Sequence, residues 1–252
     1  MPFYEREEKI LCLLAADEVI SVEEIAKRLY ISKPTVRRDL DKLSKKGLIA
    51  RTHGGAMLIK KAADATIPFA LREQEQNSAK AIMASKAVQF IKDGDTVMLD
   101  GSTSAFAIVP LLAEFKNLIV ITSSAKSSFM LGQMGIKNIC TGGHMVNKSL
   151  SYVGEDAVRT VNNYNADVVF FSCRGVSTDG FLTDNSIEEN QLRKAMIKKA
   201  RKAVFLCDQS KFDKTYLNNL CHVSEIDEII SDGKLPETLA QLSTHFENLP
   251  RA

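Results

Sequence analysis

Apolar residues recur at two different periods along this chain, and the change from one to the other divides it. In the first sixty positions the spacing is helical. Ile10, Leu11 and Leu14 predict a helix from about Arg6 to Ala16. Ser21 precedes Val22-Glu23-Glu24, so its hydroxyl can cap a second helix while Glu24 closes a capping box, with Ile25, Ala26 and Leu29 facing inward. Ser32 caps a third helix. Pro34 falls in its first turn, where a missing N–H does no harm; Val36, Leu40 and Leu43 repeat on one face, and the helix stops near Gly47. Leu48 to Leu58 then reads as two short strands around a Gly54-Gly55 turn, a wing.

Periodicity fades from Leu58 to Asn77, as expected of a linker between modules. The division predicted is residues 1–58 for the helical module, 59–75 for the linker and 76–252 for a larger domain. In that domain strand-like runs (Thr96 to Leu99, Leu118 to Thr122, Asn138 to Thr141, Asp167 to Phe171, Ala203 to Cys207, Ile226 to Ile230) alternate with helical ones (Ser78 to Ile91, Ser104 to Glu114, Lys126 to Gln133, Glu155 to Asn162, Ser186 to Ala200). The alternation predicts a Rossmann-like α/β domain with a mainly parallel sheet, whose ligands sit beyond the carboxyl ends of the strands.

Composition narrows the class. With 252 residues, 45% hydrophobic and 25% charged, the chain is an ordinary globular protein; disordered, collagenous and fibrous readings drop out. No run approaches the ~20 apolar residues of a membrane span. The start carries Glu5, Glu7 and Glu8, unlike a signal peptide, so a cytoplasmic protein with no membrane partner is expected. Cys12, Cys140, Cys173, Cys207 and Cys221 form no C-x-x-C pair and read as buried thiols of a reducing compartment. His53, His144, His222 and His245 have no metal-ligand spacing. Neither a metal nor a cofactor is expected.

Charge is uneven. Nine basic residues between Lys27 and Arg51 face only Asp39 and Asp41, a local net of +7 that leaves −5 for the rest of a chain with an overall charge of +2. A solvated helix face would give the same numbers, but so would one small module built to meet a polyanion. On the third helix, Pro34, Arg38, Asp41 and Lys45 point away from the core, flanked by Thr35, Arg37 and Lys42. Two short helices, a tight turn and a basic third helix suit the DNA major groove, with Thr35 and Arg38 as candidates for base contacts. Ser32, Lys33, Arg37, Lys42 and Lys45 on the helix, with Arg51, His53 and Gly54 on the wing, complete the expected DNA-contact set.

This pattern is specific. Ser32, Thr35, Val36, Arg37, Arg38, Asp39 and Leu40, followed by Arg51, Gly54, Gly55 and Ala56, resemble the winged helix-turn-helix of the DeoR family of bacterial transcription regulators. Asp39 would repel phosphate if exposed, and is expected to pair with a neighbouring Arg or Lys.

The strand ends of the large domain carry their own chemistry. Asp100-Gly101-Ser102-Thr103-Ser104 and Thr122-Ser123-Ser124 each lead into a helix, Thr141-Gly142-Gly143 follows another strand, and Asp208-Gln209-Ser210 brings Lys211. Singly, such hydroxyls are most often helix caps. Together they can cradle a phosphate, with Lys211 as a point charge.

The same segments, with Asp179 to Asp184 and Glu188-Glu189, are similar to the DeoR effector domain, which in that family resembles sugar-phosphate isomerases in fold and binds phosphorylated sugars or related metabolites. The resemblance implies a pocket of Asp100, Gly101, Ser102, Thr103, Thr122, Ser123, Gly142, Gly143 and Lys211, with Asp184 and Glu189 toward sugar hydroxyls. Cys173 and Arg174 depart from the small residues expected at their strand end and change the pocket's size. The leading expectation is a homo-oligomeric transcriptional repressor of sugar metabolism, bound to double-stranded operator DNA and modulated by a sugar phosphate. The rival is an isomerase or deaminase with a DNA-binding appendage, using Asp100, Asp184 or Glu189 as base; a third reading makes the large domain an oligomerisation module only.

Overall fold

Local signals and tertiary packing agree best in the N-terminal module. The computed structural model describes residues 3–17, 19–46, 48–59, 69–237 and 239, and divides into two compact units, Met1–Gln76 and Asn77–Ala252. Gly47, His245 and residues 60–68 of the expected linker lie outside the described residues.

In the first unit, α1 (Phe3–Ala16), α2 (Val22–Leu29) and α3 (Lys33–Lys45) close around a core of Ile10, Leu14, Ile25, Val36, Leu40 and Leu43, all fully buried. The wing has one strand more than expected. β1 (Val19–Ser21) pairs with β3 (Gly55–Leu58), which pairs in turn with β2 (Ile49–Thr52), all antiparallel. Gly55 has to be glycine, since a Cβ there would lie 2.2 Å from the Ile20 carbonyl oxygen. Ser21 caps α2 by accepting from the Glu24 N–H at 3.1 Å, but the capping box is not closed. The Glu24 carboxylate instead accepts from Arg28 Nε at 2.6 Å, the better partner for a charged group. The segment expected to be linker contains α4 (Phe69–Gln74), with Phe69 buried, which packs on α1.

The second unit is built on a six-stranded parallel sheet. Its strands are β4 (Thr96–Leu99), β5 (Ile119–Thr122), β6 (Lys137–Cys140), β9 (Ala166–Phe171), β12 (Ala200–Leu206) and β14 (Glu228–Ile230), in the order β14-β12-β9-β4-β5-β6. Val169, Phe170 and Phe171 in β9 and Val204, Phe205 and Leu206 in β12 are fully buried, as the continuous apolar runs of a sheet covered on both faces require. The helix α5 (Asn77–Ala87) precedes the first of them, and α6 (Thr103–Phe106), α7 (Ala125–Gln133), α8 (Glu155–Asn162) and α9 (Ile187–Lys199) lie between them in the chain. The helix expected over Ser104 to Glu114 is broken into α6 and a 3-10 turn at Val109–Glu114, because Pro110 lacks the N–H that would continue it. The helix expected over Ser78 to Ile91 likewise ends at Ala87 and continues as a 3-10 turn, Val88–Phe90. Two smaller sheets decorate the carboxyl edge: the hairpin of β7 (His144–Val146) and β8 (Ser151–Val153), and β10 (Gly175–Val176), β11 (Phe181–Asp184) and β13 (Asn218–His222). Among the described residues no helix is long and apolar enough to cross a membrane.

Candidate functional site

The basic face of α3 is open. Arg37, Arg38, Lys42 and Lys45 are exposed, as are Ser32 and Lys33 at its start and Arg51, His53 and Gly54 on the wing. Ser32 caps the helix, and its Oγ lies 2.9 Å from the half-buried Thr35 Oγ1, so the two hydroxyls orient each other. Lys33 is paired with Glu23 at 2.6 Å, and Arg51 approaches Asp41 at 3.6 Å. Both pairs are solvent-exposed and worth little, so phosphates can compete for these cations. Asp39 is only 2% exposed. It accepts two hydrogen bonds from Arg6 on α1, Nε at 2.6 Å and Nη2 at 3.1 Å, and so anchors α3 to α1 instead of meeting DNA.

In the second unit the expected loops at Asp100–Ser104, Thr122–Ser123, Gly142–Gly143 and Lys211 follow the carboxyl ends of parallel strands, whereas Asp184 ends β11 and Glu189 stands on α9. After β4, Asp100 accepts from the Ser102 N–H at 3.0 Å, the Ser172 N–H at 3.3 Å and Arg193 Nε at 2.9 Å. Arg193 is the hub that the sequence analysis missed. Through Nη1 it also reaches Asp184 at 3.0 Å and Asn190 at 3.1 Å, and its Nη2 lies 3.7 Å from Glu189. Burial works against a charged guanidinium here, but Asp184, Asp100 and Glu189 outweigh it and raise its pKa, so it stays charged. Arg174 adds a second cation 3.5 Å from Asp184.

Ser172, also missed, joins this cluster to Lys211. Its Oγ donates to the Leu206 carbonyl and accepts from Lys211 Nζ, each at 2.6 Å. Lys211 lies 3.5 Å from Asp208. Burial opposes ionisation of Asp208, but Lys211, hydrogen bonds from Ser210 and the buried Lys80 hold its carboxyl below the usual range. Ser172 ends a strand and obeys the rule that picked out the other loops; Arg193 stands in a lysine-rich helix, where only packing sets it apart.

The hydroxyl-rich loops serve first as caps. Ser102 caps α6, the Thr122 Oγ1 accepts from the Ser124 N–H at 3.1 Å, and Ser124 caps α7. Thr103, Ser104 and Ser123 are buried, and Ser123 Oγ lies 3.2 Å from Ser151 Oγ in the β7–β8 hairpin. Gly101 passes directly beneath that serine: a Cβ would meet its Oγ at 2.2 Å. Gly142 and Gly143 both have positive φ; Gly143 packs on the Val153 carbonyl, while Gly142 faces open space. The strand-end loops thus lie beneath the hairpin, whose His144 Nε2 stands 3.0 Å from Glu188 on the helix that carries Arg193. The departure at Cys173 is a packing feature: burial pushes its thiol up to about 12, so it stays protonated and unreactive at neutral pH.

Comparison with known proteins decides the family. The DeoR-like helix-turn-helix domain matches residues 6–62, and the DeoR C terminal sensor domain matches residues 75–233. The chain belongs to the DeoR family. It is a DNA-binding transcriptional regulator with a sensor domain, and not an enzyme. The HTH-type transcriptional regulator GolR of Listeria innocua is 32% identical over 94% of this chain and 93% of its own. The L-fucose operon activator of Haemophilus influenzae is 31% identical over 93% and 94%. Among solved structures, ribose 5-phosphate isomerase A of Methanocaldococcus jannaschii aligns over 53% of each chain at 20% identity, with a TM-score of 0.39.

Proposed function

We propose that this regulator represses sugar-metabolism genes from a two-fold symmetric operator, and that a phosphorylated sugar or related metabolite bound at the sheet's carboxyl edge weakens its hold on DNA. The observation that carries the reading is the chain Lys211–Ser172–Asp100–Arg193, which sets a cation and two further carboxylates, Asp184 and Glu189, along one edge. Lys211 suits a phosphate, while Asp184 and Glu189 suit sugar hydroxyls. A ligand reaching Gly101 and Ser123 has to lift the β7–β8 hairpin, because Ser151 covers both. That requirement gives the ligand a conformation to select. A coupling of about 1–3 kcal/mol changes DNA affinity roughly 5–150-fold. The assembly is at least a dimer, which matches paired half-sites one helical turn apart.

The test is fluorescence anisotropy of the full-length protein on DNA from its own upstream region, titrated with a panel of sugar phosphates at a stated salt concentration. Release by one compound supports the reading, and tighter binding on addition overturns its sign, making the ligand one that strengthens the hold on DNA. If no compound alters binding, and none shifts the melting of the protein, the large domain serves for assembly alone.

A further inference from the structure

The turn between α2 and α3 holds the most exposed large hydrophobic side chain among the described residues of the first unit. Tyr30 closes α2 with φ 53° and ψ 43°, the left-handed conformation in which a helix end favours glycine or asparagine. Its N–H bonds the Lys27 carbonyl at 3.4 Å and the following Ile31 N–H reaches back to Ala26 at 3.1 Å, so the backbone alone does the capping. The side chain adds nothing to that. It is 95% exposed, and no hydrogen bond or ring contact involves it among the described residues. A bulky aromatic thus stands in a conformation that costs it energy, with no packing in return.

Its position says what it can meet. Two residues on, Ser32 opens the helix whose N-terminal end enters the groove, and the exposed Lys33 and Arg37 flank it. A duplex seated on α3 brings a phosphodiester backbone past this turn, and tyrosine is among the side chains that donate to phosphate oxygens. We propose that Tyr30 is a DNA-backbone contact, its phenol donating to a phosphate beside the base pairs read by Thr35 and Arg38. This rests on the docking of α3 in the major groove. Because the group is neutral, its contribution releases no counterion and leaves the salt dependence of binding unchanged, unlike that of a lysine.

The experiment compares the parent with Tyr30→Gly and Tyr30→Phe in the full-length protein, by thermal melting and by anisotropy on a short labelled duplex of arbitrary sequence over a range of salt. Tyr30→Gly should melt no lower than the parent, since glycine relieves the left-handed turn, yet bind DNA about tenfold more weakly, the worth of one hydrogen bond to a charged group. Tyr30→Phe should lose most of the same affinity, and the salt slopes of all three should coincide. Unchanged affinity in Tyr30→Gly overturns the proposal and leaves the ring to a protein partner. A fall in melting temperature alongside affinity overturns it too, by making Tyr30 structural. A parent that binds no duplex at low salt would instead refute the docking of α3 itself.

Discussion

Arg193 Nε lies 2.9 Å from Asp100 Oδ2, joining two residues 93 positions apart in the sequence. Their side chains are 7% and 2% exposed, so the pair has almost no access to water. A buried pair of this kind is costly to form but costlier to halve, because the remaining charge is stranded. Arg193→Met should therefore destabilise the sensor unit by about 3–5 kcal/mol in urea unfolding, since it takes away the cation bound to the buried Asp100 and one of the two beside Asp184. Stranded, buried carboxylates take up protons more readily than those of the unfolded chain, so the deficit should shrink as the pH falls from 7 towards 4. A constant deficit across that range would mean that packing, and not charge, is what Arg193 supplies.

A similar pair orients the DNA-reading helix. Arg6 clamps Asp39 through two nitrogens, and through it α1 sets the angle of α3. Asp39→Ala should lower the melting temperature of the first unit and weaken binding to all DNA sequences alike, because it moves the whole helix and not one base contact. The Arg6→Leu, Asp39→Leu double variant should recover part of the stability, since it leaves no stranded charge. A loss of affinity confined to particular base pairs would place Asp39 in the interface itself.

What the sequence made legible is what is local. Val36, Leu40 and Leu43 repeat at a helical period, and the apolar runs ending at Leu99, Thr122, Phe171 and Leu206 mark strands wherever they pair, so the winged helix, the parallel sheet and its carboxyl edge could all be read. Asp39 was expected to find a basic partner nearby, but Arg6 lies 33 positions away on another helix. Arg193 stood unmarked beside Lys194, Lys198 and Lys199, because no periodicity separates the one cation that turns inward from those in solvent. Short pieces such as Val19–Ser21 form only because a partner strand offers its edge, and a propensity over three residues is too weak to announce that.

On the proposed reading, the exposed face of α3 divides its labour. Arg38→Ala should cost about 1–3 kcal/mol for the lost base contact and relax specificity at that position, whereas Lys45→Ala should weaken all DNA equally and lower the salt slope by about one unit. Anisotropy on operator and random duplexes over a salt series separates the two. Identical behaviour of both variants would refute the division.

Three of the described cysteines should be silent. Cys173, Cys207 and Cys221 are buried, and burial raises the pKa of each thiol, that of Cys173 to about 12. Brief treatment of the native protein with iodoacetamide at pH 8 should alkylate the half-buried Cys140 and spare those three, as mass mapping of the peptides would show. Early labelling of Cys173 would mean that the edge it occupies opens to solvent on that timescale.

Lys211 tests the sensor half of the proposal most directly. It stands between Ser172 and Asp208. Lys211→Ala should leave operator affinity intact while weakening the response to effector by tenfold or more, roughly the worth of a charge-assisted bond to phosphate. The same change removes the cation that holds the Asp208 carboxyl below its usual range. A depressed carboxyl stabilises the fold above its unfolded-state pKa, and that contribution fades as the pH drops through the folded value. Lys211→Ala should thus melt below the parent at neutral pH, with the gap closing below about pH 4. If the effector response survives in a variant that shows this acid convergence, Lys211 is a partner of Asp208 alone and the phosphate binds elsewhere on the edge.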